Sequence, residues 1–135
     1  MGYTIKQVAE RLDLTAYTLR YYEKEGLLPF IERNGNGNRI FNENDVEWVM
    51  LICCLRDTGM SVGEIKRYVD LCMEGNTTIE TRRQIILQHK CAVEGKIKQL
   101  NDYLVKINKK LGCYDAFVRG KGVKGVDCCN PKNRG

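Results

Sequence analysis

The stretch YTIKQVAERLDLTAYTLRYYEKEGLL, residues 3–28, predicts two short helices joined by a tight turn. Thr4 and Gln7 have capping-box spacing and precede apolar residues at helical intervals. Thr15 is placed to cap a second helix, which Gly26 ends. Two short helices with about three residues between them form a helix-turn-helix.

The residues after this pair predict a wing and two further helices. Strand-favouring residues flank the run NGNGN at 34–38, a composition that turns a hairpin. Asn42 is expected to cap a helix over 43–57, and Ser61 with Glu64 to open the next helix. A hairpin after a helix-turn-helix is a wing, so residues 1–75 are expected to form a winged DNA-binding domain.

The last element is predicted to be a long dimerisation helix over 77–111, opened by Thr77 and Glu80. Its apolar positions alternate at gaps of four and three, which is a coiled-coil pattern: Val93, Ile97, Leu100, Leu104, Ile107 and Leu111. About 34 residues of helix span on the order of 50 Å. So small a domain cannot cover this stripe, and we expect a homodimer. Residues 112–135 are predicted to be a basic, Gly-rich, largely irregular tail.

Composition limits the class of protein. The 135 residues carry a net charge of +5, which favours nucleic acid only slightly, and seven cysteines, an odd number that favours reduced thiols. No signal sequence and no apolar run of roughly 18 residues is found, so we expect a cytoplasmic protein without membrane contact. We expect that the protein is not an enzyme and binds no cofactor. The sequence lacks a nucleophile elbow, a phosphate-binding glycine loop and a zinc-protease motif.

Polar side chains of the second helix predict contacts with double-stranded DNA. A major-groove helix needs donors for phosphates and base edges on the surface not used for packing. The candidates on this helix are Thr15, Tyr17, Thr18, Arg20, Tyr21 and Lys24. Arg33 and Arg39 flank the hairpin turn, and Lys66, Arg67 and Tyr68 form a second cluster. The alternatives are a protein-binding helical domain and a coiled-coil adaptor that binds no DNA.

Four segments together resemble the MerR family of bacterial transcription regulators. They are the opening stretch, NRIFNENDVEWV at 38–49, LRDTGMSVGEIK at 55–66 and the terminal coiled-coil helix. The resemblance covers residues 3 to about 111. It implies a winged helix-turn-helix dimer joined by an antiparallel coiled coil. It also implies binding to a palindromic operator, and activation by bending and untwisting a long promoter spacer so that RNA polymerase engages.

The same resemblance implies DNA contacts for Arg20, Tyr21, Arg39 and the Lys66 to Tyr68 cluster. Tyr22 also belongs to the matched motif, but helical spacing turns it inward with Leu19, so core packing is the alternative for this aromatic residue.

The helix over 43–57 contains the adjacent cysteines Cys53 and Cys54. Its apolar residues divide into two nearly opposite faces, one with Trp48, Leu51, Ile52 and Leu55, the other with Val46, Val49, Met50 and Cys53. We therefore expect this helix to lie between its own domain and a partner helix. Cys53, Cys72 and Cys91 are expected to be inert small hydrophobic residues. Cys54 lies between the two faces, where a small molecule has access.

LICCLRDTGM, residues 51–60, resembles the subgroup of AdhR and NmlR type, which responds to aldehydes and related electrophiles through one cysteine. Cys54 stands at that position. Our hypothesis for the mechanism is that an adduct at Cys54, or its oxidation, alters packing between the winged domain and the partner's coiled coil and so changes the angle between the two DNA-reading domains.

A soft-metal sensor is the alternative signal. Cys113 would begin a metal loop that Cys128 and Cys129 close, because thiolates select soft ions. The long interval between Cys113 and Cys128 counts against this site, and so does the absence of a cysteine in NTTIETRR at 76–83. His89, the only histidine, is not expected to be a ligand.

Overall fold

The computed structural model describes residues 2–120, and it is mainly helical. Five α-helices and one hairpin make up the described chain, in the order α1 (Ile5–Arg11), α2 (Ala16–Lys24), β1 (Glu32–Arg33), β2 (Arg39–Ile40), α3 (Glu43–Asp57), α4 (Val62–Glu74), a 3₁₀ turn (Asn76–Thr78) and α5 (Ile79–Val118). The predicted class, a winged helix-turn-helix followed by a long helix, is confirmed.

Side-chain caps start the first four helices at the predicted residues. The hydroxyl of Thr4 accepts from the backbone N–H of Gln7, and Asn42 and Asp45 cap each other reciprocally. Thr15 and Ser61 accept from backbone N–H groups in the same way. Such bonds satisfy N–H groups that have no partner inside the helix.

The wing is a two-stranded antiparallel hairpin in which Glu32 pairs with Ile40 and Arg33 with Arg39. Its turn is built by Asn34, whose side-chain oxygen accepts from the backbone N–H groups of Asn36 and Asn38 at 2.9 and 3.0 Å. Asn and Gly therefore close the hairpin as the sequence predicted.

One apolar core holds the winged domain together, and α3 crosses it. The buried residues of α3 form one stripe at helical spacing: Asp45, Val46, Val49, Ile52 and Leu55. Trp48 and Leu51 are partly buried at its edge, whereas Met50 is 52% exposed. The predicted division into two opposite faces was wrong, because residues from both sets turn toward the same core.

The described chain divides into two compact units, residues 2–89 and residues 90–120. The first unit therefore includes the beginning of α5, beyond the predicted boundary at residue 75. In the second unit α5 continues to Val118, so the prediction of an irregular chain from residue 112 was wrong for residues 112–118. A 3₁₀ turn precedes α5 where a cap at Thr77 was expected. Among residues 2–120, no helix is long and apolar enough to cross a membrane.

Candidate DNA-binding surface and cysteine cavity

The outer surface of α2 carries the predicted polar residues. Tyr17 is 77% exposed and Tyr21 41% exposed. Thr15, Arg20 and Lys24 are exposed as well, and Thr18 is half-buried with its hydroxyl 2.9 Å from that of Thr15. The opposite side of α2 packs into the core through Leu19 and Tyr22. This amphipathic division leaves a rigid polar surface on α2 and places Tyr22 in the core.

Glu23 fixes both wing arginines to α2. Its Oε1 lies 2.5 Å from Nε of Arg39 and 3.2 Å from a guanidinium nitrogen of Arg33. Arg33 also donates to the carbonyl oxygen of Gly37 at 2.8 Å. The wing is therefore held against α2 by a shared carboxylate, with Arg33 still about half exposed. The role of Glu23 was not predicted from the sequence. The available signal was an acidic residue on α2 followed by two arginines that flank a hairpin turn.

The predicted cluster on α4 is only partly exposed. Lys66 and Arg67 are exposed, and Lys66 forms an ion pair with Asp70 at 2.8 Å. Tyr68 is 9% exposed, and its ring centroid lies 6.2 Å from that of Trp48. Burial raises the pKa of the Tyr68 hydroxyl above its ordinary value. Tyr68 is a core residue, which corrects its inclusion among the DNA contacts.

Cys53 and Cys54 line one open cavity of about 280 Å³ together with Leu12, Met50 and Asp57. Cys54 is exposed, and Cys53 is half-buried. Burial raises the pKa of the Cys53 thiol, and the carboxylate of Asp57 raises it further. Cys53 packs against the core of its own domain and also lines the cavity. Its expected contact with a partner helix stays a prediction. Among the described residues, the charged side chain that lines this cavity is the carboxylate of Asp57.

Hydrogen bonds connect the last turn of α3 to α5. Thr58 donates its backbone N–H to the carbonyl oxygen of Cys54 at 3.0 Å. The Thr58 hydroxyl lies 2.7 Å from that same oxygen and 2.7 Å from Nε2 of His89. Thr58 therefore links the turn that carries Cys54 to His89 on α5.

The other cysteines are dispersed. Cys72 is half-buried beside Arg82, and Cys91 is exposed. Cys113 lies within α5, so it does not begin a loop as expected. Cys128 and Cys129 lie outside the described residues. Within residues 2–120, no group of three His, Cys, Asp or Glu side chains is arranged to hold a metal ion.

Family models match most of the chain. The model described as MerR HTH family regulatory protein matches residues 3–72, and the model described as MerR, DNA binding matches residues 46–108. The chain belongs to the MerR family. This MerR-family chain is a DNA-binding transcriptional regulator and not an enzyme, as the sequence predicted.

Its relatives carry the same description. An uncharacterized HTH-type transcriptional regulator of Haemophilus influenzae is 39% identical over 127 residues, 94% of each chain. The HTH-type transcriptional regulator AdhR of Bacillus subtilis is 43% identical over 82 residues, which cover 61% of this chain and 59% of AdhR. These relatives support the predicted subgroup.

Solved structures agree with the fold. HiNmlR, described as a MerR family regulator lacking the sensor domain and bound to promoter DNA, is 41% identical with a TM-score of 0.82; the match covers 93% of this chain and all of that one. A MerR-family regulator from Bacillus thuringiensis is 42% identical with a TM-score of 0.78, covering 83% of this chain and 98% of that one. The MerR-family chain therefore has a close structural counterpart that binds DNA.

Proposed function

We propose that this regulator is a homodimer that switches a promoter in response to an aldehyde or related electrophile, which reacts with Cys54. The observation that carries the proposal is the cavity of about 280 Å³ in which Cys54 is exposed. Its size and its apolar lining by Leu12 and Met50 suit a small carbonyl compound. The similarity to AdhR supports the subgroup whose resemblance suggested this signal.

The DNA-contacting residues in this proposal come from three places. The outer surface of α2 enters the major groove, and the wing and the start of α4 reach neighbouring phosphates. The proposed contacts are Thr15, Tyr17, Thr18, Arg20, Tyr21, Lys24, Arg33, Arg39, Lys66 and Arg67. The structure of HiNmlR on promoter DNA supports this use of the fold.

The proposed chemistry is addition of a thiol to a carbonyl group. The sulfur of Cys54 bonds to the carbonyl carbon, the C=O π bond breaks, and the thiol proton passes to the oxygen. The product is a hemithioacetal, and nothing is oxidised or reduced. Cys54 suits this reaction better than Cys53, because burial disfavours the thiolate that Cys53 would need.

The signal is proposed to reach the DNA through the last turn of α3. An adduct at Cys54 adds volume to a cavity that Leu12, beside α1, also lines. Displacement of this turn acts on the hydrogen bond that the Thr58 hydroxyl donates to the carbonyl oxygen of Cys54 and on its hydrogen bond with His89. In a dimer, the resulting change in angle between two DNA-binding domains bends and untwists the promoter spacer for RNA polymerase.

A promoter reporter in cells tests the proposal. Cells carry the wild type, Cys54→Ser or the matched control Cys53→Ser, and receive formaldehyde or methylglyoxal. We expect induction in the wild type and in Cys53→Ser and none in Cys54→Ser. Equal induction in Cys54→Ser would refute sensing by this cysteine.

A second arm tests the soft-metal alternative with zinc, copper and mercury salts in cells carrying serine at positions 113, 128 and 129. We expect no dependence of the output on these three cysteines. Metal induction that is lost in Cys113→Ser, Cys128→Ser or Cys129→Ser would favour the metal sensor instead.

A further inference from the structure

The cavity that holds Cys54 has one charged wall. Its lining consists of Leu12, Met50 and the two cysteines, which carry no fixed charge, and of Asp57, which carries a carboxylate. No salt bridge within residues 2–120 involves this carboxylate. In the described part of the chain, a molecule that enters the cavity therefore meets a negative charge without a paired cation.

Helical geometry brings this charge close to the Cys54 sulfur. Asp57 follows Cys54 by three residues on α3, and side chains at this spacing are neighbours, with Cβ atoms roughly 5–6 Å apart. The carboxylate acts inside the cavity, because it contributes to the raised pKa of the Cys53 thiol. An electrophile that bonds to Cys54 is therefore placed next to Asp57.

The positive side chain nearest to Cys54 in the sequence lies on another side of α3. Arg56 follows Cys54 by two residues, a rotation of about 200° around the helix. Its guanidinium group donates to the carbonyl oxygen of Met60 at 3.4 Å, and Arg56 does not line the cavity. In addition, α3 ends at Asp57, and the C-terminal turn of a helix carries partial negative charge. The charges beside Cys54 therefore favour neutral molecules over anions.

Carbonyl compounds keep their charge when they react with a thiol. Addition forms the S–C bond, converts C=O to C–OH and expels no group, so a carboxylate carried by the electrophile remains in the product. Methylglyoxal and glyoxylate illustrate the difference. Both present an aldehyde beside a second oxygen-bearing carbon, which is a neutral ketone in methylglyoxal and a carboxylate in glyoxylate. The glyoxylate adduct would place a second negative charge beside Asp57.

We propose that Asp57 is a specificity residue that disfavours reaction of Cys54 with anionic carbonyl compounds, such as 2-oxo acids, and leaves its reaction with uncharged aldehydes unchanged. The proposal rests on the sensing by Cys54 proposed above and narrows its substrate class. Two like charges roughly 6 Å apart in a water-exposed setting repel enough to slow a reaction about threefold. An unpaired like charge is a common means of rejecting a competing ligand.

Alkylation with a neutral and an anionic reagent tests the charge effect. The Cys54 sulfur displaces iodide from iodoacetamide and from iodoacetate, and peptide mass spectrometry gives both rates at Cys54. Because the same thiolate attacks both reagents, the ratio of the two rates does not depend on the thiolate fraction. We expect Asp57→Asn to lower the ratio of the iodoacetamide rate to the iodoacetate rate about threefold at about 10 mM salt. An unchanged ratio, including a case in which both rates change equally, would overturn the proposal.

Two further variants and salt make the test specific. Asp57 is exposed, so Asp57→Glu keeps the charge without disturbing the core and should keep the wild-type ratio. Glu32→Gln removes the same charge from an exposed residue of the wing outside the cavity, and it should also keep that ratio. At about 1 M salt, where charges are screened beyond about 3 Å, the ratios of wild type and Asp57→Asn should converge. An equal shift in Glu32→Gln, or a difference that persists at high salt, would contradict a local charge effect.

Protection by carbonyl compounds extends the test to the proposed ligand class. Reversible adducts shield Cys54 from iodoacetamide, so the concentration that halves the alkylation rate measures their stability. For glyoxylate this concentration should be about threefold lower in Asp57→Asn than in the wild type, and for methylglyoxal it should be the same in both. Equal protection by glyoxylate in the two proteins would contradict the proposal.

These measurements separate the proposal from the one on which it rests, because they are made at the sulfur without DNA. A shifted ratio together with a promoter that responds to aldehyde equally in Cys54→Ser refutes sensing by Cys54 and leaves the charge effect in place. An unchanged ratio together with induction that requires Cys54 refutes the role of Asp57 and leaves sensing in place.

Discussion

At the scale of single residues, burial separates the two adjacent cysteines. One residue along a helix is a rotation of about 100°, so Cys53 turns toward the core and Cys54 toward solvent. Burial raises the pKa of the Cys53 thiol, and the nearby carboxylate of Asp57 raises it further. Two neighbouring thiols thus have different accessibility within one cavity.

Alkylation measures this difference directly. With iodoacetamide at neutral pH, we expect Cys54 to react at least about tenfold faster than Cys53, because Cys53 is half-buried and its raised pKa lowers the thiolate fraction. Since the pKa of Cys53 is raised, its labelling should increase only as the pH rises into the alkaline range. Peptide mass spectrometry gives both rates, and the unfolded chain is the control. Equal rates in the folded protein would contradict the assignment.

The cluster on α4 gives a second prediction at this scale. Arg67→Ala should weaken binding to an operator obtained by selection from random DNA and reduce the log–log salt slope by about one, because one phosphate contact is lost. Tyr68→Phe should leave that slope unchanged, because Tyr68 is buried. Fluorescence anisotropy at several salt concentrations measures both variants. A reduced slope in Tyr68→Phe would return Tyr68 to the DNA-contacting set.

At the scale of elements, local sequence signals were sufficient for the first four helices. Capping residues and Asn/Gly turns act within a few residues, so Thr4, Asn42 and Ser61 were found from sequence alone. Tyr68 was misplaced, because its neighbours Lys66 and Arg67 are exposed and only its contact with Trp48 shows that it turns inward. A contact between residues far apart in the sequence, such as this one, produces no recognisable pattern within a short stretch of sequence.

The faces of α3 and the end of α5 were misjudged for related reasons. An apolar helix has no clear periodicity from which to choose its buried side, so Met50 and Cys53 were grouped with Val46 and Val49. The irregular Gly-rich tail was predicted to begin at Gly112, yet α5 continues through this residue to Val118. A single glycine costs a helix only about 1 kcal/mol, which its neighbours can offset.

The wing provides a prediction at the element scale. Glu23→Gln removes the carboxylate that holds Arg33 and Arg39, so the wing should lose its fixed position against α2. We expect specific DNA affinity to fall several-fold, while non-specific binding is retained or slightly increased. Glu10→Gln, which removes the same charge from α1, is the matched control. Unchanged specific affinity in Glu23→Gln would show that the wing does not depend on this carboxylate.

At the scale of the whole molecule, the proposed DNA-contacting surface and the proposed sensor cysteine lie together within residues 2–89. The α2 surface and the Cys54 cavity belong to this one unit, and Thr58 carries the connection from α3 to His89. Family membership was recognisable from sequence because its motifs are local. The cavity could not be predicted from sequence, because Leu12 and Asp57 come together beside Cys54 only in the folded chain.

The most direct test of this account is transcription in a purified system, with the modification of Cys54 measured in the same samples. Wild-type protein is treated with increasing methylglyoxal, intact-mass and peptide spectrometry give the fraction of Cys54 in adduct form, and promoter output is recorded. We predict that output follows this fraction and that Cys54→Ser gives a constant output. Output that responds to methylglyoxal equally in Cys54→Ser, or that stays constant while Cys54 is fully modified, would contradict the account.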